Sequence, residues 1–139
     1  MLQWQNSTSI VKEDPMTREA VSVPGAPKPI APYSPAIKAA GLVFVSGQLP
    51  VDPTGSMPAD MVAQTRQCLD NMKAILGAAG VGLERVVKTT VFITNMDEFG
   101  KMNEEYGKYF PEPPPARSTV EVSRLAKGAL IEIEAIALQ

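Results

Sequence analysis

The stretch PARSTVEVSRLAKGALIEIEAI, residues 115–136, decides the fold because it predicts two β-strands at the end of the chain. Side chains alternate in character over residues 116–122 and again over 130–138, which is the period of a β-strand. One face of the second strand is wholly apolar, whereas the other places Glu132 and Glu134 among aliphatic side chains. The apolar face predicts a buried core, and the opposite face has carboxylates that could contact a ligand.

The first of these strands carries candidate binding residues on one face. Arg117 and Thr119 share that face because they are two positions apart. A guanidinium on one strand and a carboxylate, Glu132, on another are groups that suit recognition of a small anionic substrate. If the last two strands pair directly, Thr119 faces Glu132 and Arg117 lies one diagonal step away. We expect the cation and the carboxylate to line one small pocket.

Composition limits the classes of function. With 139 residues, 45% of them hydrophobic, the chain supports one domain with a real core. A net charge of −2 and the lack of a long apolar run argue against nucleic-acid partners and membrane spans. The single cysteine and the absence of an apolar signal segment predict a cytoplasmic protein without an internal disulfide. The absence of histidine excludes Ser-His-Asp and Cys-His catalysis and histidine-ligated metal sites.

Upstream patterns predict a hairpin, a helix, a long strand and a second helix. These are a hairpin turning at Gly41, an amphipathic helix over 60–79, a strand over 83–94 and a helix from Asn95 to the prolines at 111–115. Two helices placed between strands imply a mixed sheet with both helices on one face. We therefore predict an α+β fold. Because the other sheet face still carries aliphatic residues, we expect a closed oligomer of the chain to bury it.

The N-terminal residues show no periodicity. We predict that residues 1–22 form a flexible extension and that residues 23–139 form a single domain. Five prolines between Pro24 and Pro35 then impose extended or turn geometry.

Three residues near the hairpin are candidates for a ligand site. Tyr33 lies inside the proline-rich segment, where position alone favours packing on a sheet edge. Ser46 and Gly47 end the second strand of the hairpin. A hydroxyl and an amide at a strand end can hold a ligand oxygen, although the same residues equally suit a plain turn.

Several separated motifs resemble the RidA (YjgF) family of reactive-intermediate deaminases. The motifs are APYSPA at 31–36, FVSGQLP at 44–50, KTTVFIT at 88–94, PARSTVEVSRL at 115–125 and IEIEAIA at 131–137. The resemblance implies a chorismate-mutase-like fold and a homotrimer with ligand clefts between subunits. It also implies hydrolysis of 2-imino acids, such as 2-iminobutanoate and 2-iminopropanoate, to 2-oxo acids and ammonia, with no cofactor and no metal.

The resemblance assigns roles to the candidate residues. Arg117 would clamp the substrate carboxylate, Glu132 would take a proton from the attacking water, and the carbonyl of Thr119 would hold that water. Tyr33 matches a tyrosine that borders the family's active site, and Ser46 and Gly47 would close the pocket. The family commonly has a cysteine at position 119. Threonine cannot act as a thiolate, so we expect this position to work through its main chain. The family's sheet does not require direct pairing of the last two strands, and the cleft can draw on two chains.

Other functions remain open from the sequence. A non-catalytic trimer that binds small carboxylates would need only Arg117, whereas a carboxylate facing an anionic ligand gives a binder no benefit. Some family members have been described as endoribonucleases or translation inhibitors. The acidic charge and the lack of histidine disfavour that function here. Arg117 and Glu132 can also be interpreted as a purely structural interface salt bridge.

Overall fold

The described part of the chain folds into one six-stranded mixed sheet with two α-helices. The structure is a computed structural model and describes residues 17–26, 29 and 31–139. Its elements are β1 (Glu19–Val21), β2 (Ala36–Ala39), β3 (Leu42–Gln48), α1 (Met61–Ala78), β4 (Val86–Ile93), α2 (Phe99–Gly107), β5 (Ala116–Glu121) and β6 (Ile131–Leu138). The strand order is β1-β2-β3-β6-β4-β5. Among these described strands, β4 and β5 pair in parallel and the other neighbours pair antiparallel. The predicted α+β fold is confirmed.

Local sequence explains where several elements begin and turn. The hairpin of β2 and β3 turns at Ala40 and Gly41, both with positive φ (52° and 76°), the geometry of a tight two-residue hairpin turn. Helix α1 begins after Asp60, whose Oδ1 accepts the amide of Ala63 at 2.9 Å and caps the helix. The predicted hairpin and both predicted helices are therefore confirmed.

The two helices cover one face of the sheet, which we call the helix face. The apolar face of β6 is buried there, with Ile131 and Ile133 fully inaccessible to solvent. On α1, Cys68 is also fully buried, and its Sγ donates to the carbonyl of Gln48 at 3.1 Å. Burial raises the pKa of this thiol well above its ordinary value. No helix in the described part of the chain is long and apolar enough to cross a membrane.

Helix α2 is fixed against α1 by a buried carboxylate. Glu105 accepts Lys108 Nζ at 2.9 Å and Arg66 Nε at 3.0 Å, although its side chain is only 5% exposed. These two hydrogen bonds, Lys108 first, lower the pKa of Glu105. Tyr109 at the end of α2 also donates its hydroxyl to Asp70 of α1 at 2.8 Å. The position of α2 over the sheet is therefore determined by polar contacts as well as by the core.

The opposite face of the sheet, which we call the open face, is covered by neither of the two described helices. Phe44, Val120 and Leu138 are each 42% exposed there. Phe92 and Ile136 lie between them and are half-buried. An apolar surface of this extent on a small protein generally marks an interaction site.

The predicted flexible extension is wrong for its last residues. Glu19–Val21 form β1 and pair antiparallel with β2, and Val21 is buried in the core. A strand of three residues is too short to show a period, so the sequence pattern could not reveal it. Residues 1–16 lie outside the described residues.

Candidate active site

Glu132 and Gly47 lie in direct contact on the sheet. A β-carbon on Gly47 would sit 2.8 Å from both Cδ and Oε2 of Glu132, closer than real contacts allow. The pairing of β3 with β6 shifts between Val45 and Gln48, which brings Gly47 against the carboxylate. A side chain at position 47 would displace the carboxylate from this position. The glycine of the FVSGQLP motif therefore has a steric reason here.

Ser46 and Tyr33 belong to the same region. Ser46 Oγ donates to the carbonyl of Ser34 at 2.6 Å, and its amide donates to the carbonyl of Pro35 at 3.0 Å. These bonds attach the proline-rich segment to β3 and place Tyr33 nearby, with 58% of its surface exposed. We call Tyr33, Ser46, Gly47 and Glu132 the carboxylate half-site. The hydroxyl proton of Ser46 is already used, so its oxygen can only accept from a ligand.

The surroundings of Glu132 make its carboxyl group less acidic than a solvated one. Burial raises its pKa above the ordinary value, and the like charge of Glu134, two residues along the same strand face, raises it further. A carboxylate with a raised pKa is a stronger base than a solvated one. This is the change expected of a group that transfers protons near neutral pH.

We expect Glu134→Gln to lower the pKa of Glu132. The substitution removes the like charge and therefore stabilises the ionised form of Glu132, so that ionisation occurs at lower pH. A titration followed by the side-chain carboxyl ¹³C resonance of Glu132 measures this directly. An unchanged midpoint in the folded variant would show that burial alone sets the pKa.

Arg117 and Thr119 form a second group on β5, which we call the arginine half-site. Arg117 is half-buried on the helix face, and its Cζ lies 4.8 Å from the ring centroid of Tyr106 and 5.6 Å from that of Phe99. None of the ion pairs within residues 17–26, 29 and 31–139 includes Arg117. From the sequence, the aromatic residues of α2 look like core because they follow a helical stripe. Their role beside Arg117 was not predicted.

Thr119 presents its main chain at the free edge of the sheet. The amide of Val122 donates to the carbonyl of Ile93 at 2.8 Å, so residue 122 points toward β4. Amide and carbonyl directions alternate along a strand, and β5 is the last strand of the sheet. The amide and carbonyl of Thr119 therefore point outward, away from β4, where no described strand pairs with them. Thr119 Oγ1 is buried without a hydrogen-bond partner in the described part of the chain.

The two half-sites do not meet within one chain. The last two strands do not pair directly, because β4 lies between β5 and β6. Arg117 is in register with Thr89 on the helix face, whereas Glu132 is in register with Phe92 on the open face. The expectation that Arg117 and Glu132 line one pocket therefore does not hold within a single chain. A pocket containing both must draw on two chains.

A hollow on the open face contains none of the predicted site residues. It has a volume of about 170 Å³ and is lined by Phe44, Val45, Lys88, Thr90, Glu134, Ala135 and Ile136. Across the described residues, no three His, Cys, Asp or Glu side chains lie close enough together to hold one metal ion. The candidate chemistry therefore rests on the two half-sites.

A mixed sheet of this strand order, with two helices on one face and the other face open, defines a chorismate-mutase-like α+β protein. The family model described as Endoribonuclease L-PSP matches residues 24–139. The chain is 56% identical to RutC family protein PH0854 of Pyrococcus horikoshii, over 86% of this chain and 97% of that protein. It is 46% identical to the 2-iminobutanoate/2-iminopropanoate deaminase of Escherichia coli K12, over 87% and 98% of the two chains.

A solved structure agrees with these sequence relationships. The crystal structure of E. coli TdcF with bound serine superposes with a TM-score of 0.82 at 43% identity, covering 87% of this chain and 98% of that one. The chain therefore belongs to the RidA (YjgF) family.

Proposed function

We propose that this protein hydrolyses 2-imino acids, such as 2-iminobutanoate and 2-iminopropanoate, to 2-oxo acids and ammonia. The observation that carries the proposal is the position of Glu132, a half-buried carboxylate that lies against Gly47, where burial raises its pKa. A protein that only binds small anions gains nothing from such a group, whereas a hydrolase needs it as a base. The name of the E. coli relative gives independent support.

Arg117 would bind the substrate carboxylate. Its guanidinium presents a planar fork of donors that matches a carboxylate, and no described acidic side chain pairs with it. Each charge-assisted hydrogen bond of this kind contributes about 1.5–3 kcal/mol. The serine bound in E. coli TdcF carries the same kind of carboxylate.

Glu132 would transfer the protons of the reaction. It accepts a proton from water as the water oxygen attacks the carbon of the protonated imine, which gives a neutral carbinolamine. It then returns that proton to the nitrogen, and it takes the proton of the carbinolamine hydroxyl as the carbon–nitrogen bond breaks. This releases ammonia and the 2-oxo acid, and Glu132 gives its remaining proton to the solvent. The outward carbonyl of Thr119 would orient the water. Holding water and substrate together is sufficient here, because the imine is already reactive.

The two half-sites would come together in a homotrimer. Arg117 and Thr119 of one copy would face Glu132, Gly47, Ser46 and Tyr33 of the next, and the apolar open face would be buried. The number of subunits follows the family resemblance. Light scattering on the purified protein should give three times the mass of one chain. A monomer that still hydrolyses the imine would contradict the shared cleft.

A coupled assay tests the activity. A pyridoxal-phosphate dehydratase generates the 2-imino acid, and an added amine nucleophile traps it. The protein should speed formation of 2-oxobutanoate and reduce the trapped fraction. Binding of 2-oxobutanoate without any such acceleration would instead identify a small-carboxylate binder.

We expect Thr119→Cys to keep activity and Thr119→Ala to lose less than about tenfold in turnover, because the main-chain carbonyl, not the side chain, orients the attacking water. The two variants separate the hydroxyl from the main chain, since both leave the carbonyl in place. Steady-state rates in the coupled assay provide the comparison. A collapse of turnover in a correctly folded alanine variant would instead place the Thr119 hydroxyl in the mechanism.

A further inference from the structure

Tyr106 and Thr89 form a buried polar contact that the proposed reaction does not use. The Tyr106 hydroxyl and Thr89 Oγ1 lie 2.7 Å apart, linking α2 to β4. Thr89 is fully inaccessible and Tyr106 is only 5% exposed. A buried hydroxyl requires a partner, so this bond fixes the far end of the tyrosine ring against the sheet. Phe110 packs on the same ring with 4.7 Å between centroids.

The face of the fixed ring lies next to the guanidinium of Arg117. The Cζ atom is 4.8 Å from the Tyr106 centroid, within the range of a cation–π contact. The Phe99 ring, about two turns earlier on the same stripe of α2, lies at 5.6 Å from Cζ. Thr89 and Arg117 are also register partners on neighbouring strands. Thr89 therefore lies beside the backbone of Arg117 and also binds the hydroxyl of Tyr106, whose ring contacts the Arg117 side chain.

An aromatic face holds an arginine differently from an acidic partner. A carboxylate would occupy the N–H donors and neutralise the charge, and so would compete with an anionic ligand. The ring attracts the cation through its face and leaves the five N–H donors of the guanidinium unused. Holding the long side chain in advance also reduces the freedom lost when a ligand binds. The arrangement suits an arginine that must stay both ordered and available.

We propose that Tyr106 is a positioning residue that orients the Arg117 guanidinium, with Thr89 holding the tyrosine in place. The consequence for ligand affinity rests on the proposed function, in which Arg117 binds the substrate carboxylate. The orientation of Arg117 itself does not depend on that function. Phe99 contributes a second, more exposed ring to the same support.

Two variants of Tyr106 separate the ring from its hydroxyl. Tyr106→Leu removes the ring and should weaken 2-oxobutanoate binding by about 3–30-fold, the range of a cation–π contact. It should raise KM for the imine more than it lowers kcat. Tyr106→Phe keeps the ring but loses the bond to Thr89, so it should weaken 2-oxobutanoate binding less than Tyr106→Leu does, and it should melt at a lower temperature than the parent.

NMR provides a readout that needs no ligand. The Nε–H resonance of Arg117, assigned by its loss in Arg117→Lys, should carry an upfield ring-current shift that Tyr106→Phe retains and Tyr106→Leu loses. An Arg117 resonance that is the same in Tyr106→Leu as in the parent would overturn the inference. If the leucine variant does not fold, the test is whether the parent protein shows nuclear Overhauser contacts between the Tyr106 ring and the Arg117 side chain. Their absence would also overturn the inference.

The two proposals can fail separately. A ring-dependent Arg117 resonance in a protein that neither binds 2-oxobutanoate nor hydrolyses the imine would support the positioning role and overturn the proposed function. Unchanged oxo-acid affinity in Tyr106→Leu, in a protein whose activity requires Arg117, would overturn the contribution of Tyr106 to binding.

Discussion

Glu132→Gln is expected to lower imine turnover by about 10²–10⁴-fold while 2-oxobutanoate still binds. Glutamine keeps the size of the side chain and its contact with Gly47, but it cannot accept the proton of the attacking water. Affinity for the oxo acid should stay the same or rise, because a negative charge near an anionic ligand has gone. Turnover in the coupled assay and calorimetric binding of 2-oxobutanoate measure the two effects on one sample.

The chain offers a matched control for this substitution. Glu134→Gln makes the same chemical change two residues away on the same strand face, at an exposed position. It should retain turnover at neutral pH and move the acid limb of kcat/KM to lower pH, since it lowers the pKa of Glu132. Full turnover in Glu132→Gln would refute the mechanism even though the family membership stands. Equal losses of assembly, binding and turnover would indicate a structural salt bridge instead.

Arg117→Lys should weaken 2-oxobutanoate binding by about 10–100-fold, the equivalent of one lost charge-assisted hydrogen bond. Lysine keeps the positive charge but not the planar fork that binds a carboxylate through two parallel bonds. The loss should appear mainly in KM and in oxo-acid affinity, with assembly unchanged. Sedimentation and binding calorimetry on the same preparation test both statements.

Arg18→Lys is a suitable control, because Arg18 is exposed and lies outside both half-sites. It should match the parent in affinity and turnover. If Arg117→Lys binds the oxo acid as tightly as the parent, the substrate carboxylate is held elsewhere. Dissociation of the assembly in Arg117→Lys would favour the interpretation of Arg117 as an interface residue.

Local patterns in the sequence predict the elements of this fold well. The apolar alternation of β6 predicts its buried face, and all four residues of that face, Ile131, Ile133, Ala135 and Ala137, are buried. Gly41 predicts the hairpin turn, and Asp60 caps α1 where the amphipathic pattern starts. Each of these features depends on a few neighbouring residues, so a single sequence contains the information needed.

The relation between Arg117 and Glu132 depends on more than local pattern. Strands β5 and β6 follow each other in the chain, yet β4 inserts between them and pairs with both. Periodicity shows which residues share a face within one strand, but it does not show which strands are neighbours. The sequence could therefore predict both chemical groups without predicting that they open to opposite faces.

The aromatic support of Arg117 could not be predicted for a related reason. Phe99 and Tyr106 lie on one stripe of α2, and the same spacing is typical of ordinary core residues. Only the packing of α2 over β5 shows that the stripe also touches a cation. Aromatic residues with this supporting role can be recognised in a structure because they lie beside an arginine that has no acidic partner.

The burial of Cys68 bears on chemical durability. The chain has one cysteine, its side chain is fully inaccessible, and its raised pKa keeps the sulfur protonated. Alkylating reagents and peroxides attack the thiolate at an accessible sulfur, and the folded protein offers them none. With threonine at position 119 as well, neither half-site contains sulfur. The candidate catalytic groups should therefore withstand oxidants and electrophiles that inactivate thiol-dependent enzymes.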